Sequence, residues 1–98
     1  MGEKDLKIKT KKFAHESVKL ALELPENILG GYLKKQLIRS STSVAANYRV
    51  ASISQTKVSF ISKLSVVVVE SDESEFWLEF IRDEGLIQRK KAEKNNAR

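Results

Sequence analysis

Apolar residues return every three or four positions over three stretches of the chain, the spacing that gathers side chains on one face of an α-helix. Phe13, Ala14, Ser17, Val18, Ala21 and Leu22 form the first stripe, with Lys11, Lys12, His15, Glu16, Lys19 and Glu23 outside it. Pro25 stops this short helix, since proline has no N–H with which to continue the ladder. A second, long stripe runs through Leu33, Leu37, Val44, Tyr48 and Ala51, beside Ile38, Ala45 and Ala46, and Gly30 and Gly31 precede it as a loop or as its first turn. Ser52 to Gln55, "SISQ", is the best place for a reversal, with Ser54 as the N-cap of a third helix. That helix passes through Val58, Ile61, Leu64, Val68 and Phe76, widened by Phe60, Val67, Trp77, Leu78, Phe80 and Ile81. It ends at "DEGLI", where Gly85 suits the left-handed position after a helix and Leu86 the apolar contact that accompanies it.

The run Val66 to Val69 has the β-branched composition of a strand, but it has no flanking turn residues and lies inside an apolar pattern far longer than a strand. It is read as helix. Four consecutive valines cover every side of a helix, so this segment is either buried on most sides within its own bundle or faces another chain. Phe76 and Trp77 sit on the same apolar surface and read as core rather than as a platform for stacking bases.

The stretch "RSSTSVAANY", Arg39 to Tyr48, interrupts the second helix with small side chains. Ser40, Ser41, Thr42, Ser43, Ala45 and Ala46 let a neighbouring helix approach closely, and a helical serine can satisfy its hydroxyl on a carbonyl one turn back. Asn47 lies one turn from Ser43, at the border of the interior, where its amide needs partners; acids of the third helix are the expected ones. A reversal near Ile53 would place residue 70 opposite roughly 37, with Glu70, Asp72 and Glu73 in reach of Lys34, Lys35 and Arg39. Such pairing would set the register.

With 98 residues, 41% of them hydrophobic and 32% charged, the chain has the size and balance of a single helix-rich domain, with a charged tail over 1–10 and a basic tail over 88–98. It has no cysteine, which excludes disulfides and thiolate metal sites, and no apolar stretch approaches the roughly 20 residues that span a bilayer. The "MGEKDLKIKTKK" start has no apolar run behind its lysines and is not a signal peptide, so a cytoplasmic location is expected.

Charge is segregated. No acid occurs between Asn27 and Val69, whereas Glu70 to Glu84 holds seven acids against Arg82. Acids at a helix C-terminus oppose its macrodipole and call for compensation, by the basic second helix or by another subunit. The net charge of +5 permits RNA or DNA binding without requiring it, and Arg49, Lys57 and Lys63, around the reversal, are the candidate phosphate contacts. A catalytic reading finds little: His15 is the single histidine, no Glu-x-x-His pair exists, and the serines lack a histidine partner to serve as base. No enzyme, cofactor, metal or small-molecule substrate is expected.

Two segments, "YLKKQLIRSSTSVAANYRVAS" and "FISKLSVVVVESDESEFWLEFI", are similar to the four-helix bundle proteins encoded in intervening sequences of bacterial 23S rRNA genes. The shared features are the Q-L-x-R-S-x-x-S-x-x-x-N core, the later E-x-D-E-x-x-x-W-L-E run and the preceding "FAHESVKLALELP", over most of residues 11–87. The resemblance implies an all-α, antiparallel up-and-down bundle that assembles as a ring, usually a homopentamer, with no established enzymatic activity. A related fold serves as a retroelement accessory protein that binds reverse transcriptase and nucleic acid. By this resemblance Arg39, Ser43 and Asn47 match the second-helix signature, and Glu70, Asp72 and Glu73 the third, together a structural polar cluster. Two departures stand out. Val50 replaces a common glutamate, and after Ile87 only "QRKKAEKNNAR" follows, so the fourth helix is short or missing. A bundle left open on that side would leave Val66 to Val69, Phe76 and Phe80 partly uncovered and favour self-association.

Overall fold

The computed structural model describes residues 3–87, with side chains from Lys4 onward. These residues form α1 (Glu3–Ala21), α2 (Ile28–Ser52) and α3 (Lys57–Asp83), and no strand occurs among them. The valine run lies inside α3. The expectation of a short or missing fourth helix falls on residues 88–98, outside the described residues.

The first helix is longer than its apolar stripe. Residues 3–10, read from the sequence as part of a charged tail, are its first turns. Lysine, glutamate and leucine are strong helix formers, so the segment propagates α1 without a core to bury against, and its side chains from Lys4 to Lys9 stay exposed. Burial begins at Ala14 and continues through Ser17, Leu20 and Ala21.

Asn27 caps α2, its side chain accepting a hydrogen bond from the Gly30 backbone N–H at 2.7 Å. Gly30 and Gly31 are therefore the first turn of α2. Gly30 is required by space: a Cβ there would stand 1.9 Å from the Pro25 carbonyl oxygen. The reversal falls after Ser52, but Thr56, not Ser54, is the N-cap of α3, accepting from the Ser59 backbone N–H at 3.0 Å. Ser54 is engaged with the end of α2 instead, donating to the Val50 carbonyl at 3.2 Å. α3 ends as expected: Gly85 adopts φ +67°, its N–H donates to Arg82 O at 3.0 Å, and Leu86 N–H donates to Ile81 O at 3.3 Å. Leu86 then packs on the core.

α2 is the central element. α1 and α3 each pack antiparallel along it, and no Cα atom of α1 lies within 8 Å of one of α3 among the described residues. The main core joins Leu20, Ala21 and Leu24 to Leu33 and Leu37 of α2 and Leu78 and Ile81 of α3. A second cluster, Val44, Tyr48 and Val67, lies further along, and Phe13 touches both. Removing such aliphatic side chains from water contributes about 1.5–3 kcal/mol each. The α2–α3 register differs from the expected one: Ser74 meets Ser40, where a reversal at Ile53 would have set it opposite Leu33. The later start of α3 at Lys57 accounts for part of this shift.

Candidate functional site

The small-residue stretch is a packing seam. Ser40, Ser41 and Ser74 are fully inaccessible, and α1 contributes Ala14, Ser17 and Ala21, also buried. The Ser40 and Ser74 hydroxyls share a hydrogen bond of 2.9 Å across the α2–α3 interface. Ser74 also reaches the Glu70 carbonyl at 2.9 Å, and Ser41 the Ile38 carbonyl at 3.4 Å. Each hydroxyl thus finds a partner that lets the backbones close up around it. The Ser17 hydroxyl is the exception, buried with no hydrogen-bond partner.

Asn47 does not reach α3. Its side-chain N–H donates to the carbonyl and the hydroxyl of Ser43, both at 2.9 Å. A partner one turn back on the same helix costs no long-range ordering, so it wins over the expected acids.

Cross-helix pairing centres on Arg39. Its guanidinium bridges Glu70, at 3.3 Å, and Glu73, and the Trp77 indole N–H donates to the same Glu73 carboxylate at 3.0 Å. The indole and then the guanidinium hold the Glu73 carboxyl below the usual carboxylate range, and the Glu73 contact raises the Arg39 guanidinium further. Trp77 is half-buried and makes edge-to-face contacts with Tyr32, at 5.7 Å between centroids, and Phe76, at 4.9 Å. Lys34, Lys35 and Asp72 stand outside this network; Asp72 sits one residue from Glu73, about 100° around the helix, and is exposed. Phe76 is also no core residue, being 51% exposed.

The three basic candidates do not share one surface. Lys57 is exposed in the first turn of α3, whereas Lys63, six residues on and so about 120° around the helix, is half-buried. Arg49 lines a groove of about 640 Å³ between α1 and α2 with Lys7, Lys11 and His15. Ile8, Ala14, Val18, Thr42, Ala45 and Ala46 make up the rest of its wall, which is mostly apolar. Lys7 and Ile8 escaped the sequence reading because it left residues 1–10 as a charged tail, and Lys11 was read only as a polar neighbour of the first stripe; the only signal was the helix propensity of the charged segment. Among the described residues no group of three or more His, Cys, Asp or Glu side chains could hold a metal ion, and no helix is long and apolar enough to cross a membrane.

A small antiparallel helical bundle tied by a serine seam and an Arg–Glu–Trp network is the class that these features define. Residues 4–98 match the family described as 23S rRNA-intervening sequence protein, and the chain belongs to it. The fold is similar to the crystal structure of a protein of unknown function from the S23 ribosomal protein family of Bacteroides thetaiotaomicron VPI-5482. That protein is 34% identical, with a TM-score of 0.85, over 94% of this chain and 85% of the other. No functionally curated protein matches.

Proposed function

We propose that the chain is a non-enzymatic, self-assembling helical bundle of the cytoplasm, a scaffold whose subunits close into a ring. The observation that carries this is the outward face of α3, where Val68 and Val69 are each 63% and Phe76 51% exposed, with Val66 beside them. Large apolar side chains left exposed along one helix mark an interaction site. The family likeness favours a ring, of five subunits in its usual form. Light scattering behind size-exclusion chromatography, at low and high salt, tests it. A discrete multiple of the 11.1 kDa chain is expected. A monomer at both salts overturns the reading.

One observation favours a second reading, a nucleic-acid-binding accessory protein. The antiparallel topology brings the start of α1, the end of α2 and the start of α3 to one end of the bundle, with Lys7, Lys11, Arg49 and Lys57, while the acids from Glu70 to Glu84 occupy the other half of α3. RNA binding titrated against salt tests this. Arg49→Glu or Lys57→Glu should lower the slope of log affinity on log salt by about 0.7 or more for each phosphate that is no longer neutralised. Unchanged binding in both variants removes these residues from any interface.

A further inference from the structure

The α1–α2 groove changes character along its length. Lys7, Lys11 and His15 recur every fourth residue and so follow one edge of α1. Arg49, in the last turn of α2, joins them because the antiparallel packing sets the end of α2 beside the start of α1. Lys7, Lys11 and Arg49 are therefore gathered at one end, and Val18 and Thr42 lie towards the other. None of these three cations has an acidic partner among the described residues, and no acidic side chain lines the groove. Between the two ends Ile8, Ala14, Ala45 and Ala46 form a wall without a hydrogen-bonding side chain. The Thr42 hydroxyl is spent on its own helix, donating to the Ile38 carbonyl at 2.7 Å.

We propose that this groove binds a single-chain amphiphile with an anionic head, an alkyl carboxylate or an alkyl phosphate. The head lies among Lys7, Lys11 and Arg49, and the chain runs along Ala14, Ala45 and Ala46 towards Val18. The groove volume of about 640 Å³ falls in the range of small-molecule sites, which join a mostly apolar lining to a few convergent polar groups. From Lys7 to Val18 the helix rises by about 16 Å, a path that an extended alkyl chain can follow. Arginine and lysine hold carboxylate and phosphate oxygens through charge-assisted hydrogen bonds, and three uncompensated cations favour the doubly charged phosphate of the two. A nucleic-acid strand would satisfy the cations and leave the alanine wall unused. Bases are recognised by stacking or by hydrogen bonds to their edges, and beyond the cationic end only His15 could do either. Binding of the amphiphile does not depend on self-assembly, and it competes with RNA for the same cations.

Titration of the full chain with decyl phosphate, decanoate, decanol and inorganic phosphate tests the proposal, by calorimetry and by backbone amide shifts, with each amphiphile below the concentration at which it forms micelles. Both decyl anions should bind, with shifts centred on Ala14, Ala45 and Ala46, and the tighter of the two identifies the head. Decanol, which lacks the charge, and inorganic phosphate, which lacks the chain, should each bind at least tenfold more weakly. Ala46→Trp fills the groove from an exposed position and should weaken both decyl anions at least tenfold. Lys11→Gln with Arg49→Gln, also at exposed positions, should do the same and leave decanol unchanged. Helical circular dichroism should not change in either variant.

Failure of both decyl anions to bind overturns the proposal. Inorganic phosphate binding as tightly as decyl phosphate reduces the groove to a patch for ions and does so too. Decyl phosphate that binds equally well to both variants sits elsewhere, with the exposed Val68, Val69 and Phe76 as the alternative surface, and the groove loses its assignment. Shifts along the alanine wall produced by RNA, with none from the decyl anions, would give the groove to nucleic acid instead.

Discussion

Ser40 on α2 and Ser74 on α3 are both fully buried and hydrogen-bonded to each other at 2.9 Å. A serine pair at the closest approach of two helices serves as a spacer and a register mark, because any larger side chain must push the backbones apart. Ser40→Val should destabilise the bundle by about 1–3 kcal/mol through overpacking. Ser40→Ala, which removes only the hydroxyl, should cost about 1 kcal/mol, because Ser74 keeps the Glu70 carbonyl. Thermal melts separate the two, at roughly 4–8 °C per kcal/mol for a domain of this size.

Three glycines should respond differently to alanine. Gly30→Ala drives a methyl group into the Pro25 carbonyl and should be the most damaging, at about 3 kcal/mol. Gly85→Ala meets no atom within 4 Å, but its φ of +67° is unfavourable for any side chain, and a loss of about 1–2 kcal/mol is expected. Gly31→Ala meets nothing and sits in ordinary helical backbone, so it should stabilise by about 0.5–1 kcal/mol. Urea denaturation of the three variants would show this order or refute it.

The start of α3 depends on a cap two residues beyond the expected one. Thr56→Ala should cost about 1 kcal/mol, since the Ser59 N–H loses its acceptor. Ser54→Ala should stay within about 0.5 kcal/mol of wild type. The opposite ranking in chemical denaturation would restore Ser54 to the cap.

Glu73 should make the bundle acid-sensitive. Its carboxyl lies below the usual range because the Trp77 indole N–H and the Arg39 guanidinium both favour the charged form. A depressed carboxyl contributes stability that is fully present above the unfolded-state value, about 4.3, and is lost as the pH falls through the lower folded-state value. Glu73→Gln should flatten that part of the stability profile. Because Trp77 is the single tryptophan, its fluorescence should follow the same titration in the folded protein and lose it in the variant. An emission that titrates identically in both would exclude Glu73 as the cause.

Helical periodicity made the three elements legible, and Gly85 marked the end of α3, because those signals depend only on neighbouring residues; α1 ends at Ala21, before the expected stop at Pro25, and leaves Leu22 exposed. Charge segregation was enough to bring Arg39 to Glu70 and Glu73. The remainder depended on competition that a linear pattern does not display. Ser43 satisfies Asn47 before any acid of α3 can, and Ser54 turns back to α2 and leaves the cap to Thr56. The α1–α2 groove stayed hidden for a third reason. Its rim comes from a lysine-rich segment with no apolar stripe, which becomes a wall only once helix propensity has extended α1 past its buried part.

The central place of α2 also orders how the molecule should come apart. Since α1 and α3 are each fastened along α2 and meet one another only through side chains of the shared core, loss of either outer helix should leave α2 docked to the other. Amide protons of α2 should then exchange with deuterium most slowly, and those of the lysine-rich first turns of α1, which bury nothing, most rapidly.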